Sequence, residues 1–352
     1  MVVGGSKLKA LVLLALLSIL VISTPLSSQM VLISVSDPEG DDRGPGYYGY
    51  PENPVFKPGV FDIVGFKVVD EGDRLAFITT FKELGGNPWG GPNGFSLQNI
   101  QIYVRTTQTG LPARTDTLGL NVVFAPSYAW HFSIIVVPGW EEKIVPEGQR
   151  AGVYYYGFSV VQDGVLNVRV DGNSIVASVD KKALIDVDNV ASWTIVVAVA
   201  SYDGFGPNRV RPVGPTGGEW VLHGTMFATP EQRARIAKAI ATGIEPRVVD
   251  LLVYSPEFKD GITAEIQYTW LDSYNPDLNL LATIPHIEIP PTTVTITNTV
   301  TNTIFRTLTE LRTEIRTEVQ TTTVTQVNWP VSILLLIIGL VVGGIIVRFV
   351  VR

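Results

Sequence analysis

The stretch FDIVGFKVVDEGDRLAFITTF, Phe61–Phe81, constrains the chain most. Apolar and polar residues alternate, the alternation breaks at Asp70–Asp73, and it resumes. Period two puts successive side chains on opposite faces, so the stretch reads as a hairpin with one buried face. A lone hairpin is only marginally stable, so further strands must cover it. FSLQNIQIYVRT, YAWHFSIIVV, YYYGFSVV, VLNVRVDGNSIVASVD and WTIVVAVASYD supply them, and Asp171–Asn173 reads as a turn between two of these. Helical pattern is sparse. KKALIDV gives one turn, and TPEQRARIAKAIATG one helix, with Thr229 as N-cap, Pro230 at its first position and Gly243 beyond its end. The expected fold is mainly β, an antiparallel β-sandwich.

Both ends of the chain read as membrane signals. Lys7 and Lys9 precede an apolar run, Ala10–Ile22, and small residues follow. That is the plan of a signal peptide over residues 1–28, although no A-x-A site is present and an uncleaved anchor stays open. Near the other end, residues 330–348 carry no charge before Arg348, with Trp329 outside. This length nearly crosses a bilayer core, with residues 349–352 as an inner tail and the body outside the cell membrane.

Between body and anchor, residues 290–328 form a threonine-rich stalk containing TELR, TEIR and TEVQ. Apolar residues at Ile296, Val300, Ile304, Leu308, Leu311, Ile315 and Val319 recur about every 3.8 positions, as a self-associating right-handed coiled coil requires. Flanking TVTITNTV and TTTVTQV alternate with period two and favour extended chain. The expectation is a partly helical stalk centred on residues 303–320, with a disordered or O-glycosylated spacer as the alternative.

Composition removes several classes of function. A net charge of -7 offers no basic surface for nucleic acid. With no cysteine, disulfides, thiol catalysis and thiolate metal sites are excluded. Three histidines, His131, His223 and His286, are too few and too scattered in the sequence to point to a histidine-rich metal site. Gly-x-Ser-x-Gly, the phosphate-binding loop and His-Glu-x-x-His are missing, and the acids lie in glycine turns rather than across a cleft. The chain reads as non-catalytic.

Four blocks, SDPEGDDRGPGYYGYPENPVFKPGVFDIVGFKV, FKELGGNPWGGPNGFSLQNIQIYV, ASYDGFGPNRVRPVGPTGGEW and PRVVDLLV, occur in this order. They resemble the C-terminal domain of glucodextranases and archaeal amylopullulanases. The resemblance covers residues 31–253 and implies a DOMON-like β-sandwich binding module, similar to family 9 carbohydrate-binding modules and to surface-layer homology domains. In those enzymes the module follows a catalytic domain; here it follows the leader directly. The implied partner is a glycan or α-glucan, and the implied protein an archaeal-type cell-surface receptor. A structural surface-layer (S-layer) component is the competing reading. Residues 254–289 lie past the resemblance, as an extension or neck.

Two constellations carry the expected chemistry. Asp37, Glu39, Asp41 and Asp42 crowd one short loop around Gly40, and Asp62 opens the next strand. Calcium takes six to eight oxygens from such loops, and the resembling modules commonly carry structural calcium. The alternative is a solvated acidic loop whose carboxylates cap turns. Asp203 in YDGFGPN is a second metal candidate, with a turn-forming role as its alternative. The aromatic candidates for stacking on sugar are Trp89, Tyr47, Tyr48, Tyr50 and Trp140. Trp130 and Trp193 sit inside strand patterns and read as core, while Trp220 is ambiguous.

Overall fold

The computed structural model describes residues 29–140, 151–155, 159–160, 164–286, 293–303 and 315–325. The chain divides into two units, residues 1–286 and 287–352.

The first unit holds two antiparallel sheets. One contains β1 (Met30–Ser36), β2 (Ile63–Asp70), β3 (Arg74–Phe81), β9 (Leu166–Asp171) and β10 (Ser174–Asp180), in the order β1-β2-β3-β10-β9. The other contains β4 (Gln98–Arg105), β6 (Phe132–Val136), β7 (Gly152–Tyr155), β8 (Ser159–Val160), β11 (Thr194–Ser201) and β14 (Asp250–Tyr254), in the order β14-β11-β4-β6-β7-β8. Two short parallel pairs complete the strands: β5 (Val122–Phe124) with β15 (Ala282–Ile284), and β12 (Val213–Gly214) with β13 (Leu222–His223). The alternating residues do what their period dictates. Phe66, Val68, Leu75, Phe77, Ile175 and Val179 of the first sheet share one core with Ile100, Ile102, Ile134, Ile195 and Val197 of the second. Trp130 and Trp193 are buried with them, as their strand context implies.

Strand β4 is buried on both faces, which a one-faced pattern does not foretell. The polar side of β4 is covered by the β4–β6 connection. There Gln101 Nε2 donates to the Leu118 carbonyl at 3.0 Å, and Trp130 Nε1 donates to the Asp116 carbonyl at 2.8 Å. Polar groups survive burial because each finds such a partner.

Register fixes which loops meet. Gln98 pairs with Ser201, Ile100 with Val136 and Val199 with Asp250. In the other sheet Ser36 pairs with Gly65, Ile63 with Phe81 and Ser174 with Thr80. The loops after β1, β3, β6 and β11, and those before β2, β4, β10 and β14, therefore leave their sheets at a common end. The two sheets are joined there by the Asp250 carboxylate, which accepts from Ile63 N–H at 2.6 Å.

Helix α1 (Pro230–Thr242) has Thr229 as its N-cap, as expected, in a capping box with Gln232, and a left-handed Gly243 beyond its end. Helix α2 (Ala264–Leu271) is capped by Thr263. It lies in the segment beyond residue 253 that reads as an extension or neck. Gln267 there is buried, and its amide bonds both Asp41 and Leu251.

In the second unit, β16 (Thr293–Thr303) and β17 (Ile315–Thr325) pair antiparallel from Thr293–Thr325 to Thr303–Ile315. Strand thus stands at residues 303 and 315–320, where a helical centre was expected, while 293–300 and 321–325 are extended, as the flanking pattern was read. The β-branched, period-two pattern, which disfavours helix, extends further inward than that reading allowed. Residues 304–314, the leader 1–28, the apolar segment 330–348 and the tail 349–352 lie outside the described residues. Among the described residues no helix is long and apolar enough to cross a membrane.

Phe77, fully buried between the sheets, provides a test of the shared core. Phe77→Ala should cost about 3–5 kcal/mol in urea unfolding. Val168→Ala on edge strand β9, where the side chain is only half-buried, should cost about 1 kcal/mol or less.

Candidate functional site

The common end of the sandwich carries two constellations. The first is acidic. Asp37 follows β1, Asp41 sits in the β1–β2 loop, and Asp250 opens β14 in the other sheet. Each offers an oxygen within 4.8 Å of the other two, and all three side chains are buried. Among the described residues this is the group of acids so arranged. Asp250 is held by backbone, its Oδ2 accepting from Ile63 N–H and its Oδ1 from Leu251 N–H at 2.8 Å. Both Asp37 oxygens and Asp41 Oδ1 are buried without a hydrogen-bond partner.

Buried carboxylates without partners are costly as anions. Burial, with Asp41 and Asp62 nearby, pushes the Asp37 carboxyl up to about 9. Burial likewise pushes Asp41 to about 7 and Asp62 to about 6. Asp250 is raised well above the usual carboxylate range by burial and by Asp37 and Asp41. A divalent cation fits the three-acid arrangement. Oxygens bound to calcium at about 2.3–2.6 Å stand up to about 5 Å from one another, and the orphaned oxygens supply the lone pairs.

The acids named from sequence divide accordingly. Asp37 and Asp41 meet in the cluster. Asp62 accepts Gly40 N–H on both oxygens at 3.0 Å and borders the cluster. Asp42 turns away to accept the Tyr50 hydroxyl. Glu39 is exposed and ion-paired with Lys82 Nζ at 3.2 Å. Neither Asp42 nor Glu39 belongs to the three-acid group, because the Tyr50 hydroxyl holds the first and Lys82 at the surface holds the second. Asp203 is also absent from it. Its Oδ1 caps Phe205 N–H at 3.0 Å, the turn-forming role. Asp250 was not singled out in the sequence, although a lone acid inside VVDLLV was the available signal, since a charge in an apolar strand needs a partner.

The second constellation is aromatic. Trp89 and Trp220, each 41% exposed, lie with ring centroids 6.0 Å apart and planes inclined at 54°. Buried Phe56 forms their floor, 6.4 Å from Trp89 and 6.0 Å from Trp220. Asn87 holds the Trp89 loop by bonding Gly91 N–H and the Gly91 carbonyl at 2.7 and 2.9 Å. A side chain at Gly91 would place its Cβ 2.0 Å from the Phe95 carbonyl oxygen, so only glycine closes this loop. Trp220 is held by Arg211, 5% exposed, which stacks over Phe56 at 5.0 Å. The guanidinium donates to Ser201 Oγ at 3.0 Å and to the Trp220 and Tyr202 carbonyls at 2.8 Å each.

Trp140, 39% exposed, stands apart against Tyr202 at 5.6 Å. Tyr47 and Tyr48 do not form a platform. They are 2% and 1% exposed, and their hydroxyls bond Asp272 and the Pro246 carbonyl, both at 2.8 Å. Tyr50 is half-buried, with its hydroxyl on Asp42. A glycine-rich loop suggested exposure, but each phenol has a polar partner inside, which lets the ring bury.

Residues 32–286 match the family model described as the C-terminal, SLH-like binding module of glucodextranase. A search of curated proteins finds no match.

With no cation bound, the raised carboxyls give the folded state more protons than the unfolded state between about pH 4 and 9, so stability falls as pH rises across that window. The melting temperature in chelator should be lower at pH 8 than at pH 5. Equal values would remove the strain attributed to Asp37 and Asp41.

Proposed function

The chain belongs to the family of glucodextranase C-terminal binding modules, and from that premise we propose that it is a non-catalytic carbohydrate-binding protein of the cell surface. The observation that carries this reading is the exposed Trp89–Trp220 pair on its Phe56 floor. Pyranose rings present an apolar C–H face that stacks on such surfaces, and an aromatic pair fixed by a buried arginine binds with little ordering cost. The ligand class is a glycan of the α-glucan type. The apolar segment at residues 330–348 is the proposed single-pass tether, with the body outside.

The acidic centre is the proposed structural cation site, with calcium as its ion and Asp37, Asp41 and Asp250 as ligands. A domain without cysteine gains from such a clip, because a cation that binds only the folded state stabilises it. One observation favours the second reading, a structural envelope component. Phe205 is fully exposed at the tip of a loop pinned by Asp203, and an apolar side chain displayed that way suits contact with a neighbouring protein.

Calorimetric titration of the full chain with maltodextrin and dextran oligomers tests the first reading. Saturable binding should weaken at least about tenfold in Trp89→Ala and in Trp220→Ala, the scale of a lost aromatic anchor. Absence of heat with every glycan would favour the envelope role. For the cation, calcium at about 100 times its Kd should add about 2.7 kcal/mol of stability. Asp37→Asn should abolish that increment while raising the melting temperature in chelator, since it removes a carboxyl that is costly to bury.

A further inference from the structure

One excursion of the chain, residues 37–62 between β1 and β2, builds parts of both constellations. Asp37 and Asp41 sit near its start, and Asp62 at its end anchors Gly40 N–H. In its middle, Glu52 N–H donates to the Gly218 carbonyl at 2.9 Å and Asn53 N–H to the Glu219 carbonyl at 3.2 Å, tying the loop to the segment that carries Trp220. Asn53 Nδ2 adds a bond to Glu219 Oε1 at 2.9 Å.

Side chains connect the two regions without a break. Asp42, next to the ligand Asp41, accepts the Tyr50 hydroxyl. That hydroxyl in turn accepts Gly59 N–H and Phe61 N–H, each at 3.2 Å, so one phenol oxygen closes the loop on itself. The Tyr50 ring packs edge-on against Phe61 at 5.1 Å, and Phe61 lies 6.2 Å from Phe56. Phe56 is the floor under Trp89 and Trp220.

We propose that the acidic centre and the aromatic face are thermodynamically coupled through Tyr50 and Phe56, so that a bound divalent cation tightens glycan binding without touching the sugar. This rests on the reading of the two sites given above. Emptied of cation, the acids repel, and relief comes most easily by displacing Asp41, which lies in a loop and whose carbonyl is tied to the Gln267 side chain rather than to a strand partner. Asp250 is fixed in a strand by two backbone donors. Movement of Asp41 carries Asp42, and with it the Tyr50 clasp that positions Phe56. By linkage, the glycan must tighten the cation by the same factor. Tyr50 is a positioning residue, not a ligand of either site.

The test uses the full chain and needs three readouts. Calcium alone should reduce acrylamide quenching of the exposed tryptophans, and Trp89→Phe with Trp220→Phe should remove that change. Calcium saturation should tighten maltodextrin or dextran oligomers by about five- to tenfold, within the usual range of allosteric coupling. Tyr50→Phe should keep the calcium-induced rise in melting temperature and reduce the coupling to less than about twofold. Phe61→Leu, which leaves Asp42 paired with Tyr50 and the Phe56 floor in place, should do the same if Tyr50→Phe folds poorly. Calcium binding with unchanged quenching and unchanged glycan affinity overturns the coupling and leaves both sites standing. No calcium-induced rise in melting temperature overturns it through the cation site, and no glycan heat with or without calcium overturns it through the aromatic face.

Discussion

Asp37, Asp41 and Asp250 are drawn from two sheets and one loop into a place with little water, and the cost of burying their charge, with their mutual repulsion added to it, is the constraint around which this end of the domain is built. Apolar burial assembles the sandwich, but it does not dictate how β1, β2 and β14 meet at their ends. That junction is polar. The Asp250 carboxylate bridges the sheets by accepting Ile63 N–H, and Gln267 of α2 ties the Asp41 carbonyl to Leu251 N–H. Orphaned oxygens at Asp37 and Asp41 leave the junction electrostatically incomplete. Acids in this situation either hold protons or hold a cation, and the two outcomes give opposite responses to pH and to chelation.

The same junction decides where ligands can be met. Because the register of both sheets brings the relevant loops to one end, Trp89, Trp220 and Phe56 stand on connections that begin or finish beside the acidic centre. Arg211 illustrates how firmly the aromatic face is held. It is a buried guanidinium satisfied by Ser201 and two carbonyls, with aromatic rings against its plane. A binding face on loops needs that kind of support, since loops otherwise move and ordering them on binding reduces affinity.

Much of the fold was legible in the sequence, because period-two alternation and turn residues are local signals. The β2–β3 hairpin, the β9–β10 hairpin and the capped helix α1 all follow from a few adjacent residues. The site was legible only in part, for the same reason. Asp37 and Asp41 are conspicuous in one short loop, whereas Asp250 joins them from the far end of the domain and only the tertiary fold brings it there. Tyr47 and Tyr48 look exposed beside glycine and proline, yet Asp272 and the Pro246 carbonyl, distant in sequence, give their hydroxyls buried partners. Trp220 becomes informative only once Trp89 and Phe56 stand next to it. In the second unit the helical spacing of apolar residues and the β-branched composition pointed in different directions, and over residues 315–320 composition prevails.

Anomalous diffraction from crystals of the protein grown with manganese or a lanthanide tests the central claim most directly. The account predicts one strong peak within coordination distance, about 2.0–2.6 Å, of carboxylate oxygens from Asp37, Asp41 and Asp250 together. A map with no peak there, and with the three carboxyl groups at hydrogen-bonding distance sharing protons, would contradict it.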